Sequence, residues 1–263
     1  MSTVGKAITL LEAFSIGHPQ LGLTELARFA GFDKATTRRL LVSLAAHGLI
    51  EQDASSRLYR LGPALVRLAH IREANFPFLE SAKPHVVALA QETGETVHLS
   101  EFDSHFLTSS HVEESREANR ISLAVGDRLP LNATASGLAY LAFARPEYVE
   151  TYLARPMERF TQFTPVEPLV LRQKLNEARA RGYSIGDQGH SEGVFSVAAP
   201  ILDRDGYAIG AVAVASPLVR IDEHAVERHG QAAIVAARNI SARLNGRMPA
   251  HFQSTTSPKA RAT

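Results

Sequence analysis

Apolar positions recur at helical spacing through the first quarter of the chain. Ala7, Leu10, Leu11 and Phe14 form one such stripe and predict a first helix over residues 4–14. Leu23, Leu26, Ala27 and Ala30 form a second, with Thr24 as its expected N-cap and Gly31 as its left-handed stop. Asp33 then caps a third helix, whose buried stripe is Thr37, Leu40, Leu41 and Leu44. Lys34, Ala35, Thr36, Arg38, Arg39 and Ser43 fall on its other sides. Two helices joined by a Gly-containing turn, the second with a small, polar and basic outer face, form a helix-turn-helix pattern. An ordinary helical hairpin with a solvated basic face gives the same text. The next segment favours the first reading: residues 50–52 and 57–61 read as strands around the turn Asp53-Ala54-Ser55-Ser56. A β-hairpin directly after the second helix is a wing, and its Arg57 and Arg60 are placed to reach phosphates. Pro63 opens a further helix through Arg72, and Phe76-Pro77-Phe78 ends it.

Beyond Pro77 the period changes repeatedly. Residues 79–93 read as a helix that Pro84 kinks or restarts and Gly94 closes. Residues 96–101 alternate Val97 and Leu99 against Thr96, His98 and Ser100, a half-buried strand, with a return strand over 106–112. Residues 121–125 read as another strand, 133–144 as a small-residue helix, and 145–168 as a polar, proline-broken stretch. A helix over 169–181 stops at Gly182. Strands over 194–202 and 207–215 flank the turn Asp203-Arg204-Asp205-Gly206, and Asp222 caps a last helix through Leu244. Residues 247–263 carry no periodic apolar pattern and read as a mobile tail. Hairpins rather than repeated βαβ units predict an antiparallel sheet with packed helices, an α+β fold.

Charge sharpens this division. The net charge is only +1, yet residues 1–72 hold nine Lys/Arg against five Asp/Glu and the remainder 19 against 22. A basic head on an acidic body suits a nucleic-acid reader with a second function. The absence of cysteine excludes disulfides, thiolate metal sites and a thiol nucleophile. The N-terminal residues lack a signal-peptide layout and no apolar run reaches membrane-spanning length, so a soluble, cytoplasmic protein is expected.

The sequence offers little to an enzyme. There is no HExxH; Ser136 lies in Ala-Ser-Gly rather than a nucleophile elbow; no Gly-rich phosphate loop follows a strand. His98, Ser100, His111, Asp187 and His190 would have to gather for metal or acid–base chemistry, and scattered histidines usually do not. No metal, no cofactor and no enzymatic activity are expected. Residues 132–137, Asn-Ala-Thr-Ala-Ser-Gly, instead enter a helix whose free N–H groups suit a carboxylate, or whose small side chains serve close packing.

The text from Gly22 to Asp53, followed by Tyr-Arg-Leu-Gly-Pro-Ala-Leu at 59–65, resembles the N-terminal winged helix of the IclR family of bacterial transcriptional regulators. TGETVHLSEFD, VGDRLPLNATASGLAYLAF and RGYSIGDQGHSEGVFSVAAPILDRDGYAIGAVAVASP resemble the family's effector-binding domain. The resemblance implies a winged helix-turn-helix over 1–62, a linker helix over 63–76 and a GAF-like effector domain over 77–246. It implies a double-stranded, palindromic DNA operator, a homodimer or dimer of dimers, and a small organic acid effector. Thr24, Lys34, Ala35, Thr36, Arg38, Arg39, Ser43, Arg57 and Arg60 would face DNA. Carried over by motif, the effector contacts fall on Ala135, Ser136, a loop at Gly186 and Asp187, Val194, Ser196, Ala213 and Ala215, with Ile121 and Leu129 as apolar wall. Leu138 stands where many relatives have lysine, and Ala213 and Ala215 where some have hydroxyls. These departures imply a less polar or aromatic acid.

Overall fold

The computed structural model describes residues 1–15 and 17–249. The chain divides into two compact units, Met1–Phe76 and Pro77 onward.

The first unit contains α1 (Thr3–Leu11), α2 (Leu23–Ala30), α3 (Lys34–Ala46), a hairpin of β1 (Ile50–Gln52) and β2 (Tyr59–Leu61), and α4 (Ala64–Asn75). Leu10, Leu26, Leu40, Leu41, Leu44, Ile50 and Tyr59 form its core, so the predicted stripes are the buried ones. Gly31 ends α2 at φ +69°, and the Asp33 carboxylate accepts from Thr36 N–H at 2.8 Å. Thr24 is not the cap of α2. Leu21 pairs with Tyr59 as a short antiparallel bridge; Gly22 is extended and is the N-cap, so the helix starts two residues before a Thr24 cap would start it. The capping is done by Glu25, whose Oε2 accepts from Gly22 N–H at 2.7 Å. In the wing turn Asp53 collects the amides and hydroxyls of Ser55 and Ser56. Arg57 adopts φ +62°, so the returning strand begins at Tyr59 rather than Arg57.

The second unit is a six-stranded, wholly antiparallel sheet with helices on both faces. Its elements are α5 (Phe78–Thr93), β3 (Thr96–Phe102), β4 (Leu107–Glu113), β5 (Arg128–Leu129), α6 (Ala135–Phe143), α7 (Pro146–Leu153), α8 (Pro168–Arg181), β6 (Ser184–Asp187), β7 (Val194–Leu202), β8 (Ala208–Pro217) and α9 (Glu223–Arg243). The strand order is β5-β4-β3-β8-β7-β6. Val97, Leu99, Val197, Ile201, Val212 and Val214 pack with α5 and α9. The opposite face presents Ala198, Ala211 and Ala213 to α6, and these small side chains let the helix lie close.

Several expectations change here. The polar face of β3 is not solvated: Thr96 bonds the 115–121 segment, His98 lies against Ser136 of α6 and Ser100 bonds Ala211 O, leaving them at 0%, 6% and 0% exposure. Residues 121–125 are irregular, and β5 lies further on at Arg128–Leu129. The proline-broken stretch contains α7, because Pro146 occupies the first helical turn, where its missing N–H costs nothing. Pro84 lies inside an unbroken α5. Gly186 and Asp187 belong to edge strand β6, not to a loop. Of the expected tail, Arg247 donates its N–H to Asp203 O at 2.9 Å and Met248 packs on the core; residues 250–263 lie outside the described residues.

Candidate functional sites

In the first unit, α3 is locked from below and open above. Thr37 is buried and its hydroxyl donates to Asp33 O at 2.9 Å. Lys34, Ala35, Arg38, Arg39, Val42 and Ser43 are exposed, and Thr36 is half-buried. Lys34, Ala35, Arg38, Arg39 and Val42 share a shallow concavity with Leu23. Among the described residues, none of Lys34, Arg38, Arg39 and Arg57 has a carboxylate partner. Their charge is uncompensated, which suits phosphates and guanine edges. Val42 was not anticipated, although its spacing from Arg38 put it on this face; an exposed apolar side chain there can meet a thymine methyl. Thr24 is exposed in the first turn of α2.

Arg60 differs from Arg57. It stands opposite Glu51 in the hairpin register and pairs with it at 2.9 Å, both side chains being about half exposed. Such a pair is worth about 0–1 kcal/mol, weak enough to yield to a phosphate but sufficient to aim Arg60 along the hairpin. The ammonium of Lys6 sits over the Phe32 ring, 5.5 Å from its centroid.

In the second unit a cleft of about 260 Å³ opens at the start of α6. Three close approaches build it. Thr134 caps α6, its hydroxyl accepting from Gly137 N–H at 3.0 Å and donating to Pro130 O at 3.0 Å. A Cβ on Gly137 would lie 2.4 Å from Leu131 O, and one on Gly186 2.7 Å from Ala135 N, so only glycine lets these segments meet. Ser184 Oγ ties β6 to the helix start by donating to Ala135 O at 2.6 Å. Among the described residues, no acceptor meets the N–H groups of Ala135 and Ser136. They are the unpaired donors at the positive end of the helix dipole.

Ile121, Leu129, Ala135, Ser136, Gly186, Val194, Ser196 and Ala215 all line this cleft. Asp187 and Ala213 do not. Strand alternation turns Asp187 away once Gly186 faces inward, and it borders a separate groove with Leu138 and Phe195. Ala213 is wholly buried beneath α6. His98, Leu123, Asp127, Thr134 and His190 also line the cleft. His98 had signalled itself as a polar residue on a strand face, but nothing local told that a helix covers that face.

The cleft holds no lysine or arginine. His98 is buried, its Nε2 is 3.0 Å from Ser136 Oγ, and burial pushes its pKa down to about 4. Burial also lowers that of His190, against the opposing charge of Asp127. The polyhistidine gathering considered above does not occur: His111 pairs with Glu113 at 2.7 Å, Ser100 donates to Ala211 O, and Asp187 lies elsewhere. Among the described residues no group of three or more His, Asp or Glu is placed to hold a metal. No described helix is long and apolar enough to cross a membrane.

Two family models match the chain. The IclR helix-turn-helix domain matches residues 3–54, and the bacterial transcriptional regulator IclR C-terminal domain matches residues 74–242. The HTH-type transcriptional regulator BhcR of Paracoccus denitrificans is 31% identical over 90% of this chain and 85% of its own. The crystal structure of an IclR-type regulator from Silicibacter sp. TM1040 superposes with a TM-score of 0.86 at 36% identity, covering 95% of this chain and 99% of that one. An IclR homolog from Microbacterium hydrocarbonoxydans, crystallised with 4-hydroxybenzoate, superposes with a TM-score of 0.77 at 27% identity over 92% of this chain and 99% of its own.

Proposed function

The chain belongs to the IclR family of DNA-binding transcriptional regulators, and from that premise we propose that its second unit senses a small organic acid whose binding changes the grip of the first unit on DNA. The observation that carries this reading is the pair of unpartnered N–H groups at Ala135 and Ser136, opening into a largely apolar cleft. An anion finds donors there without needing a lysine. A cleft of about 260 Å³ is below the roughly 300–1,000 Å³ of drug-sized sites, which favours a compact acid. The 4-hydroxybenzoate held by the Microbacterium relative makes aromatic acids the first class to try.

In this reading residues 1–62 read DNA, 63–76 link, and 77–246 bind effector. Lys34, Ala35, Thr36, Arg38, Arg39 and Ser43 face the major groove; Thr24, Arg57 and Arg60 contact the backbone. The operator is a palindromic duplex read by a homodimer or a dimer of dimers, since one winged helix buries little surface and paired half-sites raise affinity. The protein acts in the cytoplasm and catalyses no reaction. A second unit that only oligomerises would leave a donor-lined cleft without an occupant.

The test is calorimetry with aliphatic and aromatic acids, with and without operator DNA selected from random pools. The expected result is one class of acid whose affinity differs between free and operator-bound protein. Equal affinity for both states means the ligand is no switch, however tightly it binds.

A further inference from the structure

His98 stands on β3 in register with Ala213 of β8, beneath the start of α6. It is 6% exposed. Its Nε2 contacts the Ser136 hydroxyl at 3.0 Å, while its Nδ1 is buried and has no hydrogen-bond partner. Burial keeps the ring neutral near pH 7, with the pKa pushed down to about 4. A neutral imidazole carries one N–H, so the pair has two arrangements. In the first, Nδ1 holds the proton, Ser136 donates to Nε2, and a buried N–H is left with no acceptor. In the second, Nε2–H donates to Ser136 Oγ, and only a lone pair at Nδ1 goes unused. An orphaned buried N–H is the rarer and costlier defect, so the second arrangement prevails. Its consequence falls on Ser136. With His98 donating to its oxygen, the hydroxyl proton turns toward the cleft that Ser136 lines. It joins the N–H groups of Ala135 and Ser136, which have no acceptor among the described residues, so that three donors gather at the helix start, while the carboxylate of Asp127 lines the cleft as well.

We propose that His98 is a positioning residue that fixes the Ser136 hydroxyl as a donor into the cleft, so that the site takes a carboxylate and rejects the corresponding primary amide. An amide would set its own NH2 against a donor. The proposal rests on the acid-effector reading of this cleft and adds to it the residue that enforces the choice.

Two measurements on the full chain test it. Nitrogen-15 spectra of the ligand-free protein should show the His98 ring protonated at Nε2; a ring protonated at Nδ1 overturns the proposal. Calorimetry with 4-hydroxybenzoate and 4-hydroxybenzamide should show the unaltered protein preferring the acid by about tenfold or more, as expected for a charge-assisted hydrogen bond. His98→Phe should lose most of that preference. His98→Gln, whose side-chain amide can donate to Ser136, should restore it. Equal loss of affinity for both probes in His98→Phe would mark a merely structural role and overturn the proposal. If neither probe binds the unaltered protein, the effector reading fails for this class and the selectivity claim fails with it. The tautomer then still reports separately on the His98–Ser136 pair.

Discussion

α3 and α6 begin with the same device and put it to opposite uses. Each N-terminus is capped by a side chain: Asp33 accepts from Thr36 N–H and Thr134 from Gly137 N–H. Beyond the cap, α3 turns charged side chains outward over an exposed face. α6 buries every residue from Ala135 to Ala142 and presents its first backbone N–H groups and the Ser136 hydroxyl at the cleft. A polyanion the size of a duplex needs many flexible cations, because its affinity comes from counterion release. A small acid in a cleft needs a few fixed donors, because water is excluded and each donor is worth more. On the proposed function, negative charge would be met by exposed cationic side chains in one unit and chiefly by buried donors at a helix start in the other.

The strongest break of this contrast is Ser136→Glu. It places a carboxylate where the effector's own should sit, and acid binding should fall by more than about a hundredfold, since an unpaired like charge in a site of low dielectric costs several kcal/mol. Affinity of the ligand-free protein for operator should stay as it was. Calorimetry and a DNA titration on the same sample check both halves. An acid that binds the variant unchanged puts the pocket elsewhere.

Arg39→Ala and Arg60→Ala address the other unit, with an effect of intermediate size. A base-reading arginine contributes about 1–3 kcal/mol of discrimination, whereas a phosphate contact lowers the salt slope by about one. Arg39, free of any carboxylate partner among the described residues, should show the first or both. Arg60, already paired with Glu51, should show a smaller loss. Binding titrations across a range of salt, with operator and scrambled DNA, separate these outcomes. If neither substitution changes affinity, α3 and the wing are not the DNA-facing elements.

The two units were not equally legible in the sequence. The face of α3 follows from local spacing, so its exposed residues could be named from the text. The cleft gathers side chains and backbone from β3, the 121–129 segment, α6, β6 and β7, which no local period brings together; its residues came from the family resemblance. Misplacements have the same long-range origin. Thr24 lost its capping role to a bridge between Leu21 and Tyr59. Asp187 falls outside the cleft because Gly186 and Asp187 form an edge strand, whose alternation a loop does not impose. Ala213, a pocket wall by the resemblance, is sealed beneath α6. The short helix α7 was hidden by prolines that in fact start helices.

Ser196→Ala sharpens the picture within the cleft. Ser196 lines the cleft, and among the described residues its hydroxyl makes only a long 3.4 Å contact to Gly186 O. A hydroxyl so weakly engaged is free to turn to a ligand. Its loss should weaken acid binding by about 0.5–1.5 kcal/mol if it meets a neutral group, and by about 1.5–3 kcal/mol if it meets the carboxylate. No change in calorimetry would assign recognition to the α6 end alone.

The smallest expected effect concerns the caps themselves. The Asp33 carboxyl is held below the usual aspartate range, chiefly because it accepts the Thr36 N–H. A group whose folded pKa is depressed contributes stability that is present in full above its unfolded pKa and is lost as the pH falls through the folded value. The cap of α3 should therefore weaken in acid, while Thr134, which does not titrate, holds α6 throughout. Asp33→Asn keeps an acceptor at the cap and removes only the charge that the helix dipole favours. Hydrogen exchange of the segment 33–46 should be faster in Asp33→Asn than in the unaltered chain at pH 7. As the pH is lowered through the range where Asp33 protonates, the two rates should converge. The peptide at the start of α6 should show no such convergence. Equal protection of segment 33–46 at pH 7 would mean that the Asp33 charge contributes nothing to the cap, and the parallel between the two helix starts would reduce to hydrogen bonding alone.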